Sequence, residues 1–166
     1  PEDKVGLMYD DIGGYTVHDI EFVCGFDIDK RKVNKKLATA LRAQPNCAMN
    51  HVDEIHTNGE SNFSCVSDEA IVYSAPEMDG IAPHMHDYPD EVTFVPGAVP
   101  AESFERTVEL IQYHSVDVLI NYLPVGSDEA TKYWIDVALE AGVHFVNCIP
   151  TMISTDDAMV TVLRFI

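Results

Sequence analysis

Apolar positions along the chain fall into blocks whose period changes from one element to the next. Residues 20–26 are nearly all apolar and end on Asp27, the pattern of a strand buried on both faces, as in a parallel sheet. A helix is expected next, with Asp29 as N-cap and Val33, Leu37 and Leu41 on one face. Lys30, Arg31, Lys35 and Lys36 fall on its wet side, and Pro45 stops it. Residues 44–70 hold no period and are rich in Asn, Ser, Asp and Gly, so they read as a long excursion from the core. A short strand at 70–73 follows. Pro76, Gly80, Pro83, Pro89, Pro96 and Pro100 then punctuate a stretch that reads as loop with at most short helical turns, so that 44–100 as a whole is irregular.

From residue 101 the order is plain. Phe104, Val108 and Ile111 form one face of a helix over 101–114, and residues 116–121 make a strand. Ser127 is placed to cap a helix whose buried side is Ala130, Tyr133, Trp134, Val137, Ala138 and Ala141, with Gly142 as its stop. Residues 143–148 form the last strand, ended by Pro150. Helices and strands alternating through short joints predict an α/β fold with a mostly parallel sheet and flanking helices.

Composition changes this picture little. With 46% hydrophobic and 23% charged residues in 166, the chain is globular and large enough for a core. A net charge of −18 argues against nucleic acid and anionic membranes as partners. No apolar run nears the roughly 20 residues that span a bilayer, and Pro1-Glu2-Asp3-Lys4 lacks the order of a secretion signal, so a cytoplasmic location is expected. Cys24, Cys47, Cys65 and Cys148 form no CxxC pair, which predicts neither disulfides nor structural zinc.

Three places invite chemistry. Asp27 ends an early parallel strand, where a dinucleotide fold would bind the adenosine ribose, or where an ordinary acid would cap the next turn. The loop Tyr122-Leu123-Pro124-Val125-Gly126-Ser127 joins a buried strand to a helix start, a position suited to a polar or anionic ligand or to a tight connection with a good cap. Asn147-Cys148-Ile149-Pro150 opens onto the same edge, but nothing places a base near Cys148. His84-Met85-His86-Asp87, if extended, puts two imidazoles on one face; a metal needs more ligands than this string supplies, and no metal site is assigned. No GxGxxG, GxxxxGK[ST] or HExxH string occurs, and Gly13-Gly14 has no strand before it.

Several strings together resemble the inositol-3-phosphate synthase (myo-inositol-1-phosphate synthase) family in its shorter prokaryotic form. They are Gly6-Leu7-Met8 with Asp11-Ile12-Gly13-Gly14-Tyr15, then His18-Asp19-Ile20-Glu21-Phe22-Val23 and Phe26-Asp27-Ile28-Asp29-Lys30-Arg31-Lys32-Val33. Pro45-Asn46-Cys47, Met78-Asp79-Gly80-Ile81-Ala82-Pro83-His84-Met85 and VDVLINYLPVGS at 116–127 continue the series. It ends in Glu129-Ala130-Thr131, Ala138-Leu139-Glu140-Ala141-Gly142-Val143 and Phe145-Val146-Asn147-Cys148-Ile149-Pro150.

The resemblance implies a Rossmann-like NAD-binding domain over 1–153, incomplete at its N-terminus, and a divergent tail at 154–166. The family converts glucose 6-phosphate to inositol phosphate with NAD that is reduced and then regenerated, a step of inositol and phospholipid biosynthesis. Asp27 takes the ribose-binding place; Asn121, Tyr122, Leu123, Pro124 and Ser127 take the loop against the dinucleotide, and Cys148 and Ile149 the next strand edge. The family's glycine-rich strand–turn and its catalytic lysines have no counterpart here, so no catalytic residue is assigned and the chain alone is expected to fall short of turnover. Ser74-Ala75-Pro76 replaces a basic-Gly-Pro motif, Asp156-Asp157 stands where Asp-Pro is usual, and 50–68 is longer than usual. The alternative is a non-catalytic NAD-binding or assembly module, in a homo-oligomer or with a partner chain; dinucleotide and sugar phosphate are the small-molecule partners implied.

Overall fold

A computed structural model describes residues 8–44, 65–97 and 100–153. The middle of the 44–70 excursion, the Pro45 stop, Cys47, the Gly6-Leu7 start of the first string and the 154–166 tail lie outside the described residues. The elements run β1 (Phe22–Asp27), α1 (Leu37–Ala40), β2 (Val66–Ser74), α2 (Phe104–Tyr113), β3 (Val118–Asn121), α3 (Asp128–Ala141) and β4 (His144–Asn147), with 3-10 turns at Val17–Asp19 and Pro83–Asp87. Among the described residues no helix is long and apolar enough to cross a membrane.

The fold is α/β, and every strand pairing between named strands is parallel. The strands form two pairs, β1 with β2 and β3 with β4. Phe26 lies opposite Tyr73, and Asp27 opposite Ser74; in the other pair Asn121 lies opposite Asn147. The outer edge of β2 is occupied by a turn of chain: Asn34 N–H donates to the Val72 carbonyl at 2.8 Å, and Val72 N–H to the Lys35 carbonyl at 3.0 Å. This explains a departure from the periodicity. The helix expected from Asp29 is reduced to the single turn α1, because Asn34 takes a left-handed φ of 60° and turns the backbone toward β2. The long-range pairing outweighs the 3.6-residue period of Val33, Leu37 and Leu41. The strand expected at 70–73 is correspondingly longer.

The principal core lies between the two strand pairs and the helices. Val108 and Ile111 of α2 meet Trp134 and Val137 of α3, and Phe26, Leu119 and Phe145 pack on them from three strands. The rings of Phe26 and Trp134 lie 4.9 Å apart and tilted, so one contact joins the first strand pair to the second helix layer. Among the described residues, the two faces of the β3–β4 pair are covered unequally. Leu119, Asn121, Phe145 and Asn147 alternate inward, whereas Val118, Ile120 and Val146 on the other face remain about two-fifths exposed.

Candidate functional site

Each strand pair ends, on its carboxyl side, in a set of polar groups. At the end of β1, Asp27 is half-buried; its Oδ1 accepts the Asp29 N–H at 2.8 Å and its Oδ2 lies 3.3 Å from Lys32 Nζ. An Asx-type turn therefore sets the chain's exit from the strand. A carboxylate offers about four lone-pair sites, so these two partners leave room for further donors. Beside it opens a cleft of about 190 Å³ lined by Gly25, Phe26, Lys32, Leu37 and Val72 among others. That is below the ~300–1,000 Å³ of a whole small-molecule site.

Asp29 behaves differently. It is fully buried, and it accepts the backbone N–H of Arg31 at 2.8 Å, Arg31 Nε at 2.9 Å and the Val95 N–H at 3.2 Å. Arg31 extends the link to the carbonyls of Asp90 and Thr93. Burial raises the Asp29 carboxyl, but the Arg31 side chain and the two backbone N–H groups outweigh it and hold it below the usual carboxylate range. Asp29 is thus a tie between the exit of β1 and the loop at 90–95, in place of the helix cap the sequence suggested.

At the end of β3 and β4 a hydrogen-bonded set of side chains closes on itself. Asn121 Nδ2 donates to Thr131 Oγ1 at 3.1 Å and to Asn147 Oδ1 at 2.9 Å, and its Oδ1 accepts the Leu123 N–H at 3.0 Å. Thr131 donates to the Ser127 carbonyl at 2.6 Å, and Ser127 Oγ to the Pro124 carbonyl at 2.7 Å. Asn121, Thr131 and Ser127 are all buried. The groups facing outward are Tyr122, Pro124, Val125 and Cys148, with Leu123 and Ile149 half-buried. Cys148 N–H donates to the Asn121 carbonyl at 3.0 Å, which brings the two strand ends together. The Cys148 side chain, hydrogen-bonded to Tyr122, pushes that phenol up from its ordinary value. Burial pushes the Cys24 thiol to about 11, which leaves it protonated and unreactive at neutral pH.

Of the residues singled out in the sequence, Asn121, Tyr122, Leu123, Pro124, Ser127, Cys148 and Ile149 converge at one edge, and Asp27 sits at the end of the other strand pair. Ser127 does not cap α3 through its side chain; its hydroxyl is turned back to Pro124. The cap is Asp79, whose Oδ2 and Oδ1 accept the N–H groups of Glu129 at 2.7 Å and Ala130 at 3.0 Å. A carboxylate of the chain itself thus fills the place where the helix start suited an anion. No local pattern marks this partner, since it lies 50 residues away along the chain. The His84–His86 string is wound into a 3-10 turn, so the two imidazoles do not share a face as they would in an extended stretch.

No family model matches the chain. It is 36% identical over 151 residues to the inositol-3-phosphate synthases of Corynebacterium glutamicum, Mycobacterium tuberculosis and Mycolicibacterium smegmatis. Each alignment covers 91% of this chain and 36% of the relative, so the chain spans about a third of the length of the curated relatives it matches. The crystal structure of Ari2 superposes with a TM-score of 0.66 at 26% identity, covering 96% of this chain and 39% of that one. The resemblance read from the strings therefore holds along nearly the whole chain, and the α/β architecture is shared with a solved structure.

Proposed function

We propose that this chain is the dinucleotide-binding part of an inositol-3-phosphate synthase, with NAD as the ligand. Asp27 carries the reading: a carboxylate at the carboxyl end of a parallel strand, with acceptor capacity left over and a cleft beside it. In this reading Asp27 accepts the adenosine ribose hydroxyls, and the outward residues Tyr122, Leu123 and Pro124, with Cys148 and Ile149, lie against the dinucleotide. Asn121 and Ser127 act from beneath by holding the loop in shape. The pyrophosphate is not assigned to the start of α3, where Asp79 already satisfies the N–H groups.

When bound, NAD would supply hydride transfer, which in a synthase is used and then reversed so that glucose 6-phosphate becomes inositol phosphate without net oxidation. Membership in inositol biosynthesis, a cytoplasmic setting and self-association belong to the same proposal, as does the division into a dinucleotide-binding region over 1–153 and a separate tail. This chain's own residues bind and orient in this scheme, and turnover is assigned elsewhere. Calorimetric titration with NAD⁺ tests it. Heat of binding that is lost in Asp27→Ala supports the reading; no heat with the wild-type chain overturns it.

A second reading is a non-catalytic assembly module. It is favoured by the partly exposed Val118, Ile120 and Val146 on one face of the β3–β4 pair among the described residues, since parallel sheets are ordinarily covered on both faces. Light scattering that finds only monomer would remove it.

A further inference from the structure

The start of α3 is secured by a loop distant in sequence, and that loop touches the turn beneath the outward-facing residues as well. Asp79 accepts the N–H groups of Glu129 and Ala130 through its two carboxylate oxygens. Next to it, Gly80 lies so near the turn that a Cβ there would stand 2.4 Å from Ser127 Oγ and 3.8 Å from Pro124 Cδ. A flexible end could yield to such an overlap, but Ser127 Oγ is buried and committed to the Pro124 carbonyl. Asp79 and Gly80 therefore dock as a pair, one on the helix and one on the turn.

We propose that Asp79 is a positioning residue for the loop 122–125, holding from outside what Asn121 and Ser127 hold from inside. This rests on the reading that the loop faces a dinucleotide. The loop has an inner anchor at each end, Leu123 N–H on Asn121 Oδ1 and Ser127 on Pro124. Between them Tyr122, Pro124 and Val125 stand in solvent. Their place in space is set by where α3 begins, and the first turn of α3 is held by the Asp79 carboxylate. Burial raises that carboxyl, and the backbone N–H groups of Glu129, Ala130 and Asp128 outweigh it, so the ionised form is the one bound. A loop held before the ligand arrives loses less conformational freedom on binding.

Asp79→Ala, Asp79→Asn and Gly80→Ala in the full chain provide the test, with two readouts. The first is amide hydrogen exchange without ligand. In Asp79→Ala, exchange is expected to quicken about five- to tenfold at Glu129, Ala130 and Leu123, with β1 and β2 amides unchanged. Asp79→Asn, which keeps one acceptor oxygen, is expected to recover part of the protection, and Gly80→Ala to move Leu123 in the same direction. Unchanged exchange at Leu123 in Asp79→Ala overturns the proposal; should that variant unfold, the same comparison is made with Asp79→Asn.

The second readout is calorimetric titration with NAD⁺, where binding is expected to weaken about three- to tenfold in Asp79→Ala and less in Asp79→Asn. Equal affinity in wild type and Asp79→Ala overturns the positioning role and leaves the dinucleotide reading standing. No binding by the wild type, with exchange altered as expected, overturns the dinucleotide reading and supports the hold on the loop.

Discussion

Asn121→Ala is the sharpest probe of the buried polar set under the loop. The side chain makes three hydrogen bonds, two as donor to Thr131 Oγ1 and Asn147 Oδ1 and one as acceptor from Leu123 N–H. Truncation removes all three and leaves the Leu123 N–H without its acceptor. Two lost bonds at about 0.5–1.5 kcal/mol each, with one half-buried orphan donor at about 1–3 kcal/mol, give a destabilisation of about 2–6 kcal/mol. That is a large share of the ~5–15 kcal/mol that holds a domain of this size. Trp134, the single tryptophan and part of the core, reports unfolding by fluorescence without a label. With a urea slope of about 2 kcal/mol per molar, the midpoint should fall by about 1–3 M. Asn147→Ala should cost less, since Asn147 is half-buried and water can replace its partners. Thr131→Val should couple to Asn121→Ala in a double-mutant cycle, because the two side chains share a bond. An Asn121→Ala unfolding free energy within about 0.5 kcal/mol of wild type, or an equal loss in Asn147→Ala, would refute this account.

Two further outcomes follow from other contacts. Arg31→Ala strips the side-chain partner from fully buried Asp29 while Arg31 itself keeps 26% of its side chain in water; a loss of about 3 kcal/mol in urea unfolding is expected, and no loss would show that the backbone N–H groups alone satisfy the carboxylate. His114 lies 2.8 Å from the Tyr73 hydroxyl, and burial holds its imidazole below the ordinary 6.5. The unfolded chain therefore takes up the proton first, so this contribution to stability is complete above pH 6.5 and is lost as pH falls through the lower folded value. Urea midpoints at pH 7.5 and 5.5 should differ more for the wild type than for His114→Asn; equal differences would dismiss the group.

The sequence is legible where structure is made by neighbours. The β3–α3–β4 unit stood out because its apolar period, its short joints and Gly142, at a φ of 75°, all act within a few residues of one another. The segment after β1 departs from its apolar period because the decisive bonds link Asn34 and Lys35 to Val72, and no window of residues around 34 contains them. The cap of α3 is likewise made by a residue distant in sequence. Ser127 has the right residue type in the right place, yet Asp79 arrives from a loop and Ser127 turns inward. Within the candidate site, the strand-then-turn pattern at 121–127 and 147–149 places these residues at one sheet edge, while the division into outward and buried members depends on the Asn121–Thr131–Asn147 bonds.

The two strand pairs also set an order of assembly. Val118 meets His144 26 residues on, across one helix and two short joints, whereas Phe22 meets Val66 44 residues on. Loop closure opposes the second event more than the first, and the α3 face that Phe26 packs on must exist before that contact can reward it. Shorter closure therefore favours early formation of the β3–α3–β4 unit, with β1 expected to join it later. Asp27 would acquire its final surroundings last of all.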